Sequence, residues 1–392
     1  MPSFVRYNEQ KHASVLYNLG NLPELRQVSK VNRLRLALDC SLARGGIGRG
    51  GNRFARVIES AVDLLSAERS GHPDGLDVIK FDLVHWGKSS EEYRTPVRLS
   101  RIPGGIKRAL WARGGGWKLG TAGTKLLGMP HVVHTVEFRL VRVSRAKLVY
   151  SLFDLPWVRG FHYSSDLKPL IEDSLHRADV IMAISECTAQ DAMELGIPES
   201  RIRQVYPAIE SFYLDHGKQP LRVKGLMGGF LLFVGSCQSP NKNFRRIIEA
   251  MELARIDLPL VVAGPDDPTL DRLHSRVSVM YMGHVSNETL LSLYDHATAL
   301  VFPSVFEGFG YPVVEAMARG CPVLTSSSGS LREVAGDAAI FVDPMETDDI
   351  VRGLRQVMDT SQTDALVQRG YSRAEYFSLR RLARNLLSVY SE

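Results

Sequence analysis

In the segment Ser304–Pro344, SVFEGFGYPVVEAMARGCPVLTSSSGSLREVAGDAAIFVDP, seven residues (308–314) separate Glu307 from Glu315. Carboxylates accept hydrogen bonds from hydroxyls, so two of them on one loop-and-helix segment suit a polyhydroxylated ligand such as a sugar or a ribose. Gly308 and Gly310 permit a backbone turn between the acids, and Pro312 fits the first turn of a helix that would carry Glu315. Such a turn points N–H groups outward, and a helix start receives a phosphate. Glu315 alone has a bland explanation, because an acid in a first helical turn complements the helix dipole. Both acids, both glycines and the proline together are harder to explain without a ligand.

Two other segments suggest an anion. Lys242, in GSCQSPNKNF (Gly235–Phe244), sits at the start of an expected helix, where a cation opposes the dipole. A bound anion would account for it. In ARGGIGRGGNRF (Ala43–Phe54), Gly46, Gly48 and Gly51 satisfy G-x-G-x-x-G between a strand and a helix. Taken alone this is a dinucleotide fingerprint of an oxidoreductase, with Asp82 as the acid that would hold a ribose. Its physical content is narrower, a close approach of backbone to an anion, and a nucleotide-sugar diphosphate suits it equally. A plain tight turn is the remaining alternative.

The elements that must position these residues are short apolar runs alternating with helical patterns. In the second half FLLFVG (Phe230–Gly235), LPLVVAG (Leu258–Gly264), VSVMYMG (Val277–Gly283), ALVFPS (Ala299–Ser304), PVLTS (Pro322–Ser326) and AIFVD (Ala339–Asp343) read as buried strands. Helices are expected over 243–254, 288–296 and 311–319, and from about 348. Continuously apolar strands between helices indicate a parallel sheet covered on both faces. The first half repeats the pattern with RLRLALD (Arg33–Asp39), a helix over about 52–65, HVVHT, KLVYSLFD and VIMAIS (Val180–Ser185). HGKQPLRVKGLMGG (His216–Gly229) breaks both patterns and reads as a linker. The expected fold is α/β, two Rossmann-like domains facing across a cleft. Their bounds are 1–215 and 216–375, with 376–392 remaining.

Composition narrows the class. The chain has 392 residues, 44% hydrophobic and 23% charged, which accommodates two cores. No apolar run approaches the ~18 residues needed to span a bilayer, and MPSFVRYNEQKHASV lacks the layout of a signal peptide. Cys40, Cys187, Cys237 and Cys321 form no C-x-x-C pair, which argues against a disulfide framework or structural zinc. A cytoplasmic protein is the expectation. Between Arg94 and Lys147 twelve Lys or Arg face one acid, Glu137. This is either a solvated face or a surface for anionic lipid at the inner side of the cytoplasmic membrane. Nucleic acid is not expected, since no RNP-type or zinc-finger pattern is present.

The two-glutamate segment resembles the signature of retaining glycosyltransferases of family 4, which have the GT-B fold. The resemblance implies that Glu315 holds ribose hydroxyls and Glu307 holds donor-sugar hydroxyls. The backbone around Gly308, Phe309, Gly310 and Tyr311 would contact sugar or phosphate. GSCQSPNKNF is similar to the family's phosphate turn, in which Gly235 lets the donor approach and Lys242 neutralises the diphosphate. Asn241 stands where the family usually has Arg. YMGHVSNETLLSLY (Tyr281–Tyr294) resembles the segment whose backbone, at Gly283, His284 and Val285, holds the base. GIGR (Gly46–Arg49) resembles the glycine loop of members that build bacterial polysaccharides. In the remaining 376–392, YFSLRRLARNLLSVY (Tyr376–Tyr390) resembles a terminal family helix that crosses back to the first domain. Where many members have His-Asp beside the reacting sugar, this chain has Phe153–Asp154, and His134 or His162 is a nearby substitute.

The resulting expectation is a retaining hexosyltransferase with Glu307, Lys242 and Asp154 at the reaction centre and no metal or cofactor. Its donor would be GDP-mannose and its acceptor a glycan or lipid-linked glycan of polysaccharide or O-antigen synthesis. UDP-hexoses and dTDP-rhamnose are the competing donors. A nicotinamide-dependent oxidoreductase and a non-catalytic nucleotide-sugar or lipid-binding module are the competing classes.

Overall fold

The computed structural model describes residues 33–44, 50–70, 72, 74–82, 97–98, 118–119, 124–125, 127–136, 140–161, 167–217, 219–220, 226, 229–265 and 276–392. In the first half the strands are β1 (Arg33–Asp39), β2 (Gly75–Asp82), β3 (Val97–Arg98), β4 (Lys118–Leu119), β5 (Val132–Thr135), β6 (Arg142–Val143), β7 (Lys147–Leu152), β8 (Val180–Ala183) and β9 (Ile202–Gln204). The second half has β10 (Leu231–Val234), β11 (Leu260–Ala263), β12 (Val279–Tyr281), β13 (Ala299–Phe302), β14 (Val323–Ser326) and β15 (Ile340–Val342). They form a seven-stranded sheet, β3-β2-β1-β5-β7-β8-β9, and a six-stranded sheet, β12-β11-β10-β13-β14-β15. All neighbours in both are parallel. A short parallel pair, β4 with β6, stands apart. This is the GT-B architecture of two Rossmann-like domains.

The period of two along each strand explains why the sheets are covered on both faces. Leu231 and Phe233 point into a core closed by the helices Phe244–Ala254 and Thr347–Val357. Leu232, between them, points into another core with Val313 and Met317 of the helix Tyr311–Ala318. Leu36 and Leu38 of β1 bury against Phe54 and Ile58 of the helix Gly50–Glu68, while Ala37 faces Phe81 and Val133 on the other side. Helices at Lys168–Arg177 and Thr360–Glu375, and the strands β2 and β9, complete the layers.

The chain passes between the domains twice. After the helix Thr360–Glu375 it returns as Leu379–Ser391, which lies on the helix Gly50–Glu68 of the first domain. Leu382, Leu386 and Val389 bury there, each contributing about 1.5–3 kcal/mol. At the crossing, Ile209 N–H donates to the Phe377 carbonyl (3.0 Å), so outgoing and returning strands of chain lie side by side. Beyond it Arg319, paired fork-to-fork with Asp295 at 2.8 Å, donates to the carbonyls of Asp215 and Gly217. Both side chains of that pair are fully buried, and a buried pair of this kind holds only when its remaining donors are satisfied. The two carbonyls satisfy them.

Candidate active site

In both sheets the order reverses beside the first strand, between β1 and β5 and between β10 and β13. Ligands of doubly wound sheets lie outside the carboxyl ends of the strands at that reversal. In the second domain β10 ends in Gly235, β11 in Gly264, and β12 runs on to Gly283, with φ of 147°, 148° and 62°. Gly235 N–H donates to Ala263 O (3.0 Å) and Gly264 N–H to Gly283 O (2.9 Å). A Cβ on Gly264 would run into the Gly235 carbonyl. Backbone lies on backbone here, giving a floor free of side chains, with His284 exposed and Val285 half-buried at its edge.

On this floor stands an ion pair. Lys242 closes the short turn Pro240–Lys242, and its ammonium donates to Glu307 Oε1 at 2.7 Å. The two side chains keep 18% and 13% of their surface exposed, so the pair is open to a ligand. The turn grips the loop that carries Glu307. Val305 N–H donates to Asn241 O (2.7 Å), and Asn241 Nδ2 donates to Phe306 O (3.0 Å). Asn243, left-handed at φ 59°, donates to the carbonyls of Pro303 (3.2 Å) and Pro344 (2.6 Å). Ser330 Oγ donates to the Glu307 carbonyl at 2.9 Å.

The first domain meets this loop at Asp154. A Cβ on Gly308 would come within 2.7 Å of Phe153 O and 2.9 Å of Asp154 Cβ, so only glycine lets the two strand ends approach so closely. Asp154 is half-buried. Loss of solvent, then the neighbouring charges of Glu307 and Asp191, push its carboxyl up to about 6, and Lys242 opposes them. Alongside, Phe161 stacks on Phe306 with ring centres 5.5 Å apart.

Gly310, at φ 96°, caps the helix Tyr311–Ala318, with Pro312 in its first turn. Phe309 buries its ring among Tyr206, Tyr311 and Phe377 and so presents its backbone. Glu315 is only 1% exposed. Its Oε2 accepts from the Tyr294 hydroxyl (2.6 Å), and its Oε1 pairs with Arg53 of the first domain. Arg53 also binds Glu210, with Nε 2.9 and 3.0 Å from the two oxygens. Its guanidinium lies over the rings of Tyr311 (4.4 Å) and Tyr213 (5.3 Å). Burial works against the charge of Arg53, but Glu315 and Glu210 outweigh it and hold its pKa well above the ordinary value. Another carboxylate crosses between the domains nearby. Glu333 accepts from the N–H groups of Glu186 (2.8 Å) and Cys187 (3.1 Å), at the start of the helix Glu186–Glu194, and from the Tyr206 hydroxyl (2.9 Å).

Residues 224–373 match the sequence profile of the family described as glycosyl transferases group 1. Over those residues the chain belongs to that family. The group 1 glycosyltransferase is 29% identical over 282 residues to O-antigen chain mannosyltransferase B of Escherichia coli, covering 66% of this chain and 74% of the relative. It is 33% identical over 208 residues to the serotype-specific mannosyltransferase WbdA of Escherichia coli, covering 48% of this chain but 25% of that much longer relative. Among solved structures it is similar to sucrose-phosphate synthase from Thermosynechococcus elongatus, with a TM-score of 0.68, 17% identity and coverage of 91% and 98%. Anabaena HepE in complex with UDP-glucose matches with a TM-score of 0.66, 16% identity and coverage of 91% and 99%.

The glycosyltransferase thus brings Gly235, Asn241, Lys242, Glu307, Gly308 and Asp154 together, as the sequence suggests, with Gly283–Val285 at the rim. Two details differ from the sequence reading. The counter-charge that Lys242 requires at its helix start is Glu307 in this structure, so the lysine does not by itself demand a bound anion. His134 is no substitute for the family histidine. It is fully buried, its ring nitrogens lie 2.7 Å from Tyr390 Oη and 2.8 Å from Ser151 Oγ, and burial pushes its pKa down to about 3. Gly46, Gly48, His162 and most of the basic stretch Arg94–Lys147 lie outside the described residues.

Arg53 and Gly264 went unread in the sequence. Both left a signal. Arg53 is a cation in the first turn of a helix, the same anomaly that singled out Lys242, and LPLVVAG ends in glycine just as FLLFVG does. Among the described residues no cluster of His, Cys, Asp or Glu is arranged to hold a metal ion, and no helix is long and apolar enough to cross a membrane.

Proposed function

We propose that this glycosyltransferase transfers mannose from GDP-mannose, with retention, to a glycan or lipid-linked acceptor in bacterial polysaccharide or O-antigen synthesis. The observation that carries the reading is the meeting of Lys242, Glu307 and Asp154 where the strand ends of the two domains face each other. The diphosphate would rest on the floor of Gly235 and Gly264, with the base beyond it near Gly283–Val285. Glu315 would accept from the ribose and Glu307 from the sugar hydroxyls. The acceptor oxygen attacks the anomeric carbon from the side that the diphosphate leaves, and its proton passes to a leaving phosphate oxygen. Lys242 stabilises the charge that grows on that phosphate, and the Asp154 carboxylate stabilises the positive charge on the sugar ring. No metal takes part in this scheme.

The choice of mannose rests on the names of the relatives at about 30% identity; the choice of guanine rests on no side chain of this chain. Affinities for GDP, UDP and dTDP, followed by hydrolysis of GDP-mannose, UDP-glucose and dTDP-rhamnose, test the donor. Preference for UDP or dTDP overturns mannose and leaves the glycosyltransferase intact. The glycine loop's oxidoreductase reading gives way to the family match. Donor hydrolysis by the purified protein that disappears in Glu307→Ala would exclude a purely binding role. The proposed bounds 1–215, 216–375 and 376–392 assign the acceptor to the first domain, and a basic face Arg94–Lys147 would hold the enzyme at anionic lipid of the cytoplasmic membrane. Cosedimentation with anionic vesicles at low salt tests that face, and no binding there leaves a soluble acceptor.

A further inference from the structure

Glu315 cannot receive a ribose as it stands. Both its oxygens are engaged, one by Arg53 from the other domain and one by Tyr294, and its surface is closed to solvent. A ribose hydroxyl that approached Glu315 would meet the Arg53 guanidinium first. Resting on the reading of Glu315 as the ribose acceptor, we propose that Arg53 occupies the seat of the ribose hydroxyls in the donor-free enzyme and is displaced by them. The first domain and the nucleotide then compete for one carboxylate.

The surrounding groups make this exchange chemically even. Arg53 holds two carboxylates at once, with Nε shared between the oxygens of Glu210 at 2.9 and 3.0 Å. When it lets go of Glu315 it remains paired with Glu210 and stacked on Tyr213, so no unpaired charge is left in the interior. Glu315 keeps the Tyr294 hydroxyl and replaces one guanidinium N–H by ribose O–H donors. The Tyr311 hydroxyl gives a separate indication. It is buried and has no hydrogen-bond partner among the described residues, and Tyr311 lies one helical turn before Glu315, on the same face. A ribose oxygen arriving beside Glu315 would supply the missing partner. Arg53 is therefore a residue that sets nucleotide affinity through Glu315, and no step of the glycosyl transfer passes through it.

The test is calorimetry on the full chain with GDP and UDP and with their 2′,3′-dideoxy counterparts. Arg53→Gln should tighten the better-bound ribonucleotide by about tenfold, the relief expected when a competent state populated one time in ten becomes the only one. The dideoxy compound should gain nothing. Glu210→Gln should act in the opposite sense and weaken the ribonucleotide a few-fold, because Arg53 is left with Glu315 as its sole counter-charge. This second variant decides the matter if Arg53→Gln does not fold. Weaker or unchanged ribonucleotide binding in Arg53→Gln, or unchanged or tighter binding in Glu210→Gln, overturns the competition. Glu315→Gln separates the two layers. If it leaves the preference for ribose over dideoxyribose intact, the ribose reading itself is wrong; if it abolishes that preference while Arg53→Gln fails to tighten binding, only the competition is wrong.

Discussion

Glu307 and Glu315 are neighbours in sequence and are held by opposite means. Glu307 is paired within its own domain, by a lysine from the adjoining strand-end turn, and retains access to the cleft. Glu315 is paired across the domain boundary, by an arginine 262 positions away in the chain, and has no access. A carboxylate paired within its domain keeps its geometry whatever the other domain does. One paired across the boundary reports whether the domains are engaged. The seven intervening residues thus separate a fixed part of the site from a conditional part.

The largest expected effect falls on the fixed part. Lys242→Met should lower kcat by about 10²–10³-fold, the range for removing one preorganised electrostatic contact from a reacting centre. Lys242→Arg should retain most of the activity. If steady-state kinetics find methionine and arginine equally damaging, shape rather than charge is the contribution of the lysine. Next comes the division of labour between the acids. Glu315→Ala should weaken the nucleoside diphosphate by about 10–100-fold, from the loss of a charged acceptor worth roughly 1.5–3 kcal/mol. Glu307→Ala should spare that affinity and lower turnover. Equal losses of free-nucleotide affinity in the two variants would erase the contrast.

A smaller effect should appear in the pH profile. Asp154, raised to about 6 by burial and by Glu307 and Asp191, is protonated below that pH and ionised above it. If the ionised form is needed, kcat/KM should fall about tenfold per unit below pH 6, and Asp154→Asn should give a low but flat acid limb. An acid limb that persists in the variant assigns the titration elsewhere. The smallest effect is none at all. With Lys242 neutralising the diphosphate, a chelator should leave turnover unchanged, and activity that requires added magnesium or manganese would contradict the scheme.

The same contrast governs what the sequence disclosed. The fixed part was legible because its signals are local. Apolar strands such as LLFV run into glycine, a proline marks the turn before Lys242, and two glycines follow Glu307. Each feature follows from residues within one strand–turn–helix unit. Glu315 was legible too, but the pairing that makes it conditional was not, since Arg53 meets Glu315 only through the packing of two domains, and neither residue's neighbours name the other. Asp154 was found by resemblance, whereas its raised pKa arises from burial first and then from Glu307 and Asp191, all of which the fold alone supplies. His134 illustrates the reverse case. It was read as a nearby substitute for the family histidine, but the returning helix covers it with Tyr390, a contact that spans 256 positions.

The buried fork of Arg319 and Asp295 has a mechanical consequence. By gripping the carbonyls of Asp215 and Gly217 it makes the end of the outgoing crossing part of the second domain's rigid body. The bond from Ile209 to Phe377 ties that crossing to the returning one. Two tethers fastened side by side behave as the spine of a book: they leave swinging about one axis as the easy motion and resist sliding and twisting. Glu210, the next residue after Ile209, holds Arg53, so the Arg53 socket lies close to that spine and the competition at Glu315 acts on the same coordinate.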